Sequence, residues 1–293
     1  MERAVAASAL WRAMMSGTSA KTGLAASASE YALGYTDAEH DRLMRQARWL
    51  APLTGGFFRK AGIGRGQRVL DLGSGVGDVS FLLADLVGPS GSVVGIEKDS
   101  RSIALARERA EQYGFRHVSF QECDCAELKS AEPFDAVVGR FILMFLPEPV
   151  AVLRAAFALL KPGGVFAFQE VNFDAFLRSS AGLPLWSAAG GLFEQAIRLS
   201  GANTRMGPAL QRVFMEAGMP APIEQSDDYP GGENWLPDLL TSALPQIERH
   251  SLSLDSVGDL ATLNERLLAE LDQTDAPMPF PAIVSAWSRK PRM

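Results

Sequence analysis

The stretch Val69-Leu-Asp-Leu-Gly-Ser-Gly-Val-Gly-Asp78 decides how this chain is read. A short β-branched and apolar run, Arg68–Leu72, meets three glycines, and an apolar helical pattern then continues to Val87. Glycine is needed where a backbone turns sharply from strand to helix and a ligand approaches closely, because a Cβ has no room there. The amino end of the following helix also offers free N–H groups to an anion. On its own the loop leaves two readings open, a dinucleotide site or merely a tight strand–helix turn.

Outward from the loop the chain alternates. Ser92–Ile96, His117–Gln121, Phe134–Gly139 and Val165–Val171 read as further strands. A helix over Ser100–Tyr113 and one starting at Pro147, a good first-turn residue, separate them. Lys161-Pro-Gly-Gly164 breaks the second of these helices. Near-continuous apolar strands separated by helices predict a parallel sheet covered on both faces, and right-handed crossovers make it doubly wound. Ligands of such sheets bind at the carboxyl ends of the strands near the switch point, so the residues just after each strand matter most. Upstream, Asp37 to about Ala61 is helical in pattern, with Asp37 as its cap and Gly62 as its end.

Three acids follow strands in this way. Asp71 precedes the first glycine by two residues; Glu97 ends the second strand, where a carboxylate can accept from both ribose hydroxyls; and Asp124 sits past the third, within reach of an adenine amino group. The loop is G-x-G-x-G and departs from the nicotinamide fingerprint G-x-G-x-x-G. Taken in order, Val69–Asp78, Val94-Gly-Ile-Glu-Lys-Asp99, Glu122-Cys-Asp-Cys125, Phe134-Asp-Ala-Val-Val138 and Leu160-Lys-Pro-Gly-Gly164 resemble the successive motifs of class I S-adenosylmethionine-dependent methyltransferases. The resemblance covers residues 66–171 well and the rest loosely.

It implies a seven-stranded, mostly parallel, Rossmann-like sheet whose last strand, Ala282–Arg289, is antiparallel. It implies S-adenosylmethionine as cofactor, with Gly73 and Gly75 at its amino-acid end, Glu97 and the adjoining Lys98 at the ribose, and Asp124 with the backbone of Cys125 at the adenine. Asp71 would organise the loop and sense the cofactor's amino group. Arg140 stands between two readings, a partner for the cofactor carboxylate or an acidic substrate, and an ordinary ion pair with Asp71. Tyr35 and Gln46 lie on a segment that would cover the cofactor, together with Glu39 and Arg42, and a solvated helix face is the competing account. Phe141–Leu146 would wall the methyl-transfer site. Glu170, at the end of the fifth strand, is the candidate base or substrate anchor. His40 and His250 read as surface residues and His117 as remote from the ligand edge.

After Val171 the alternation fails. Residues 172–206 and 230–278 are expected as helical cap insertions, the second with helices over Leu236–Arg249 and Val257–Leu271; between them a helix, Pro208–Ala217, and a strand near Ile223–Asp228 restore the pattern. One methyltransferase domain over 31–293 is therefore expected. The first 30 residues, rich in alanine and serine, are expected as a loosely ordered tail, with a transit-peptide bias as the competing reading.

The 293 residues, 47% hydrophobic and 21% charged, suffice for a large core without a disulfide or metal staple. A net charge of −6 disfavours nucleic acid as a partner, because phosphate binding normally needs a basic face. No apolar run reaches membrane-spanning length. Two cysteines one residue apart, Cys123 and Cys125, make a poor metal site and fit a reducing, cytoplasmic setting. A small-molecule acceptor is the expected substrate; an NAD-dependent oxidoreductase and a non-catalytic S-adenosylmethionine-binding protein are the alternatives, and a homodimer is left open.

Overall fold

A computed structural model describes residues 31–227, 232 and 234–292. The predicted tail, 1–30, lies outside the described residues. Seven strands form one sheet in the order β3-β2-β1-β4-β5-β7-β6: β1 Arg68–Leu72, β2 Ser92–Glu97, β3 Val118–Glu122, β4 Phe134–Arg140, β5 Leu160–Asn172, β6 Ile223–Asp227 and β7 Ala282–Arg289. The first five run parallel, and β7 lies antiparallel between β5 and β6. This is the predicted doubly wound α/β sheet, with the switch point between β1 and β4.

Side chains alternate across the sheet because strand geometry has a period of two. On β4 and β5, Ala136, Val138, Val165 and Ala167 join one core, while Val137, Phe166 and Phe168 join the other. The first core lies under helices α1 (Asp37–Ala61), α2 (Asp78–Val87) and α3 (Ser100–Tyr113). The second lies under α4 (Pro149–Ala158), α5 (Phe173–Ser179), α6 (Pro184–Leu199), α7 (Met206–Glu216), α8 (Trp235–Arg249) and α9 (Leu263–Thr274). Helices α5, α6, α8 and α9 arise from the two stretches expected as insertions, and they share one continuous core with the sheet. Its centre holds Phe176, Trp186 and Trp235, with Trp186 and Trp235 6.0 Å apart.

Several boundaries differ from expectation for local reasons. Thr36 caps α1, its hydroxyl accepting from the Glu39 N–H at 3.1 Å, so Asp37 is the first helical residue. Helix α4 starts at Pro149, and Leu146-Pro-Glu148 is left free to line the central cleft. Lys161–Gly164 lies within β5 as an irregularity: Phe134 pairs with Leu160 and Ala136 with Val165. Gly163, at φ 80°, donates to the Lys290 carbonyl there. The expected helix start at Val257 fails because Gly258 takes φ 70° and Asp259 caps a 3₁₀ turn, after which α9 begins.

Candidate active site

At the carboxyl edge of β1, Gly73, Gly75 and Gly77 take φ values of 65°, 50° and 93°, conformations that cost any residue with a Cβ. A Cβ on Gly77 would approach Phe81 and Phe120 to 2.8 and 2.9 Å. The loop is tied to β2 by the Ser74 N–H donating to the Ile96 carbonyl at 2.8 Å. Glu97 braces it from the same strand. Its carboxylate accepts from the N–H groups of Gly75 (3.1 Å), Lys98 (2.8 Å) and Asp99 (3.1 Å). Burial raises its pKa, and those three donors partly offset the rise. Lys98 itself is exposed at the rim.

A cleft of about 500 Å³ opens on this edge. The predicted residues Gly73, Gly75, Glu97, Lys98, Asp124, Cys125, Arg140, Gln46 and Tyr35 all line it. Asp124 caps the turn beginning at Cys125 by accepting from the Ala126 N–H at 2.8 Å. Burial, with Glu97 and Asp124 nearby, pushes the Cys125 thiol up to about 12, far from a reactive thiolate. Tyr35 is likewise raised, first by burial and then by Glu97. The cavity falls in the range typical of small-ligand sites. Ser74 Oγ, on its wall, is buried and has no partner among the described residues. A braced carboxylate, a glycine turn with no room for a Cβ and this unpartnered hydroxyl suit the ribose and polar end of a nucleoside-type cofactor.

Two predicted residues behave differently. Asp71 does not line the cleft: it lies buried beneath the loop, accepts from the Ser80 hydroxyl at 2.6 Å, and is pushed up to about 7 by burial. It therefore ties β1 to helix α2 behind the loop. Glu170 is also walled off, with no exposure at all. Its Oε1 accepts from the backbone N–H of Ile142 (3.0 Å) and Leu143 (2.7 Å), and burial pushes the carboxyl up to about 8. Strand parity turns Glu170 inward, away from the cleft, so it holds the wall segment instead of acting as base or anchor. That segment carries Phe141 at φ 54°, a left-handed conformation rare outside glycine.

Arg140 points its Nη1 at the Thr54 hydroxyl at 3.3 Å, and no ion pair joins it to Asp71 among the described residues. Burial lowers its pKa, against Asp78 and Asp71, which raise it. The ion-pair reading is thereby set aside. His40 is buried and bonded to Ser102 at 3.0 Å, not a surface residue, while His117 reaches the Ala84 carbonyl. His250 is partly buried at the end of α8.

Arg42 stands on the segment expected over the cofactor, but its partners and the remaining parts of the site were not apparent from sequence. Arg42, on the cleft wall, is held by both oxygens of Glu39 at 2.7 Å, and it donates to Gln46. Asp78 is clamped by Arg109 at 2.7 Å, both buried. From the second core, Val171, Phe173, Phe193, Thr204, Trp235 and Phe280 extend the cleft into an apolar chamber. No short motif brings these residues together; only the helical layer does. Among the described residues no cluster of three potential metal ligands occurs, and no helix is long and apolar enough to cross a membrane.

A doubly wound sheet with a glycine loop, a ribose-height acid and a roofed cleft defines a nucleoside-cofactor enzyme of the Rossmann-like class. Residues 63–205 match the family model described as a methyltransferase domain. Over that stretch, just under half of its length, the chain carries a methyltransferase domain. That match speaks against the dinucleotide reading that the glycine loop leaves open.

An arsenite methyltransferase of Aquipseudomonas alcaligenes is 41% identical over 117 residues, which is 37% of this chain and 34% of that protein. An aklanonic acid methyltransferase of a Streptomyces species is 38% identical over 112 residues, 38% of this chain and 50% of that one. The matches thus span a third to a half of these relatives' length. Among solved structures, a phosphoethanolamine N-methyltransferase of Haemonchus contortus with phosphomonomethylethanolamine and S-adenosylhomocysteine superposes with a TM-score of 0.55. It is 16% identical, covering 87% of this chain and 58% of that one, and it shares the fold.

Proposed function

We propose that the protein transfers the methyl group of S-adenosylmethionine to a small-molecule acceptor held in the apolar chamber. The observation that carries this is the single cleft, which runs from the glycine loop and Glu97 into the chamber under α6 and α8. When bound, the cofactor supplies an electrophilic methyl on a sulfonium. Glu97 then accepts from the ribose hydroxyls, Asp124 and the Cys125 backbone hold the adenine, and Gly73 and Gly75 leave room for the amino-acid end. Arg140 meets a carboxylate there, and Tyr35 and Gln46 close the cleft from α1 and the segment before it. The aromatic and aliphatic walls exclude water and fix the acceptor in line, which is the chief demand of such a displacement. Helices α5, α6, α8 and α9 act as its cap.

The acidic chain favours a small acceptor over nucleic acid, and two free thiols fit a cytoplasmic setting. Arsenite as acceptor is disfavoured: a soft metalloid needs thiolates, and burial raises both Cys123 and Cys125. The test is calorimetric titration with S-adenosylmethionine, followed by detection of S-adenosylhomocysteine released with candidate acceptors. Failure of the folded protein to bind the cofactor refutes the reading. Binding without turnover across a broad acceptor panel favours a non-catalytic cofactor-binding protein.

A further inference from the structure

On the wall of the apolar chamber, where the Trp235 indole N–H is buried with no partner among the described residues, Thr204 carries a hydroxyl whose surroundings dictate what it can recognise. Thr204 lines the cleft beside Phe173, Phe193, Trp235 and Phe280, and only 4% of its surface is exposed. Its backbone is held on both sides: the Phe173 N–H donates to the Thr204 carbonyl at 3.1 Å, and the Asn203 N–H donates to the Met144 carbonyl at 2.8 Å. Its Oγ1 donates to Glu194 Oε1 at 2.9 Å. Glu194 in turn lies 3.6 Å from Arg198 and is 14% exposed.

A threonine hydroxyl has one proton and two lone pairs, while an ionised carboxylate only accepts. Glu194 therefore takes the Thr204 proton, and what Thr204 offers a ligand is an acceptor. A ligand group meeting it must bring its own hydrogen. The surrounding wall adds two constraints. Phe173 and Phe193 lie 5.5 Å apart, and Trp235 and Phe280 4.9 Å apart, so aromatic surfaces line the chamber beside Thr204. None of the described cleft-lining residues from Val171 onward is charged, and burying an unpaired charge among them is costly.

Resting on the methyl-transfer reading, we infer that the acceptor is a flat, uncharged, largely apolar molecule bearing a hydroxyl group, and that this hydroxyl donates to Thr204. Thr204 is the specificity-determining contact. Glu194 is a positioning residue that sets the direction of the hydrogen bond.

The test uses the full chain saturated with S-adenosylhomocysteine and reads binding of a monohydroxyanthraquinone by its visible absorbance, with the methoxy analogue as comparison. The wild type should prefer the hydroxy probe by about three- to tenfold, the worth of one net hydrogen bond. Thr204→Val should abolish that preference and Thr204→Ser should keep it. Glu194→Ala frees the Thr204 proton to donate, so the preference should narrow through tighter binding of the methoxy probe, a change that mere loosening of the chamber would not produce. Failure of the wild type to bind the hydroxy probe, an unchanged preference in Thr204→Val, or equal loss of both probes in Glu194→Ala overturns the inference. A separate titration with S-adenosylmethionine distinguishes the two levels. Loss of cofactor binding refutes methyl transfer itself, whereas normal cofactor binding with no hydroxyl preference refutes only the acceptor class.

Discussion

Replacing Glu170 separates two roles that one carboxyl group combines. Its Oε1 accepts from two backbone donors, the part-buried N–H of Ile142 and the buried N–H of Leu143, at 3.0 and 2.7 Å. Glu170→Ala strands both in an apolar interior. At about 1–3 kcal/mol for each buried unsatisfied group, the expected loss of stability is about 2–5 kcal/mol. Glu170→Gln keeps a carbonyl oxygen in the same place and should lie within about 1 kcal/mol of wild type near pH 4.5, where the wild-type carboxyl is protonated in the folded state. The pH dependence has a definite sign. Burial raises the folded pKa from the ordinary 4.5 to about 8. Between those values the folded state keeps a proton that the unfolded chain has released. The stability this group confers is therefore complete below the unfolded value and is lost as pH rises through the folded one. Each pH unit in that window is worth about 1.4 kcal/mol, so ionisation at alkaline pH costs a few kcal/mol. Glutamine has no such proton. Urea denaturation followed by tryptophan fluorescence should show Glu170→Gln gaining on wild type between about pH 5 and pH 9. Parallel stability curves for the two proteins, or a Glu170→Gln loss as large as that of Glu170→Ala, would refute the reasoning.

Three further outcomes are expected. Glu97→Ala should weaken S-adenosylmethionine binding by about 1–3 kcal/mol in calorimetry, the usual cost of hydrogen bonds to a charged group, with unchanged affinity showing that the ribose is held elsewhere. Gly190→Ala places a Cβ 1.8 Å from the Phe176 ring, in the middle of the layer that forms the chamber. It should cost about 1–3 kcal/mol of stability by overpacking, visible as a lowered Tm, and should weaken acceptor binding more than cofactor binding. Arg42→Met leaves Glu39, 1% exposed, without its charge partner. A loss of about 3–5 kcal/mol is expected in denaturant titration at neutral pH, and restoring neutrality with Glu39→Gln in the same chain should recover much of it.

The order of elements and the cofactor edge were legible because each leaves a local mark. Strand ends coincide with Gly73, Glu97 and Asp124, and Tyr35 and Gln46 sit at positions where the helix before the sheet turns over the cleft. Asp71 and Glu170 lie off the cleft for a common reason. Each lies within two residues of a strand's end, and a change of one residue in strand parity moves a side chain from the cleft to the interior. Sequence patterning located the strands but did not carry that parity to their last residue. Arg140 was legible as a residue of the site but not in its partner, since Thr54 comes from a helix 86 positions earlier.

What the amino-acid sequence determined by itself is the sheet, its crossovers and the cofactor class, because these depend on contiguous apolar runs and on glycines whose backbone conformations are intrinsic. Tertiary structure alone decided the apolar chamber. Phe173, Phe193, Thr204, Trp235 and Phe280 come from separate segments, and nothing in their local patterns distinguishes them from ordinary core residues. They face one cavity only because the apolar sides of α6 and α8 pack together against the same core that covers the sheet, and hydrophobic burial, being non-directional, encodes that a face is covered but not by what.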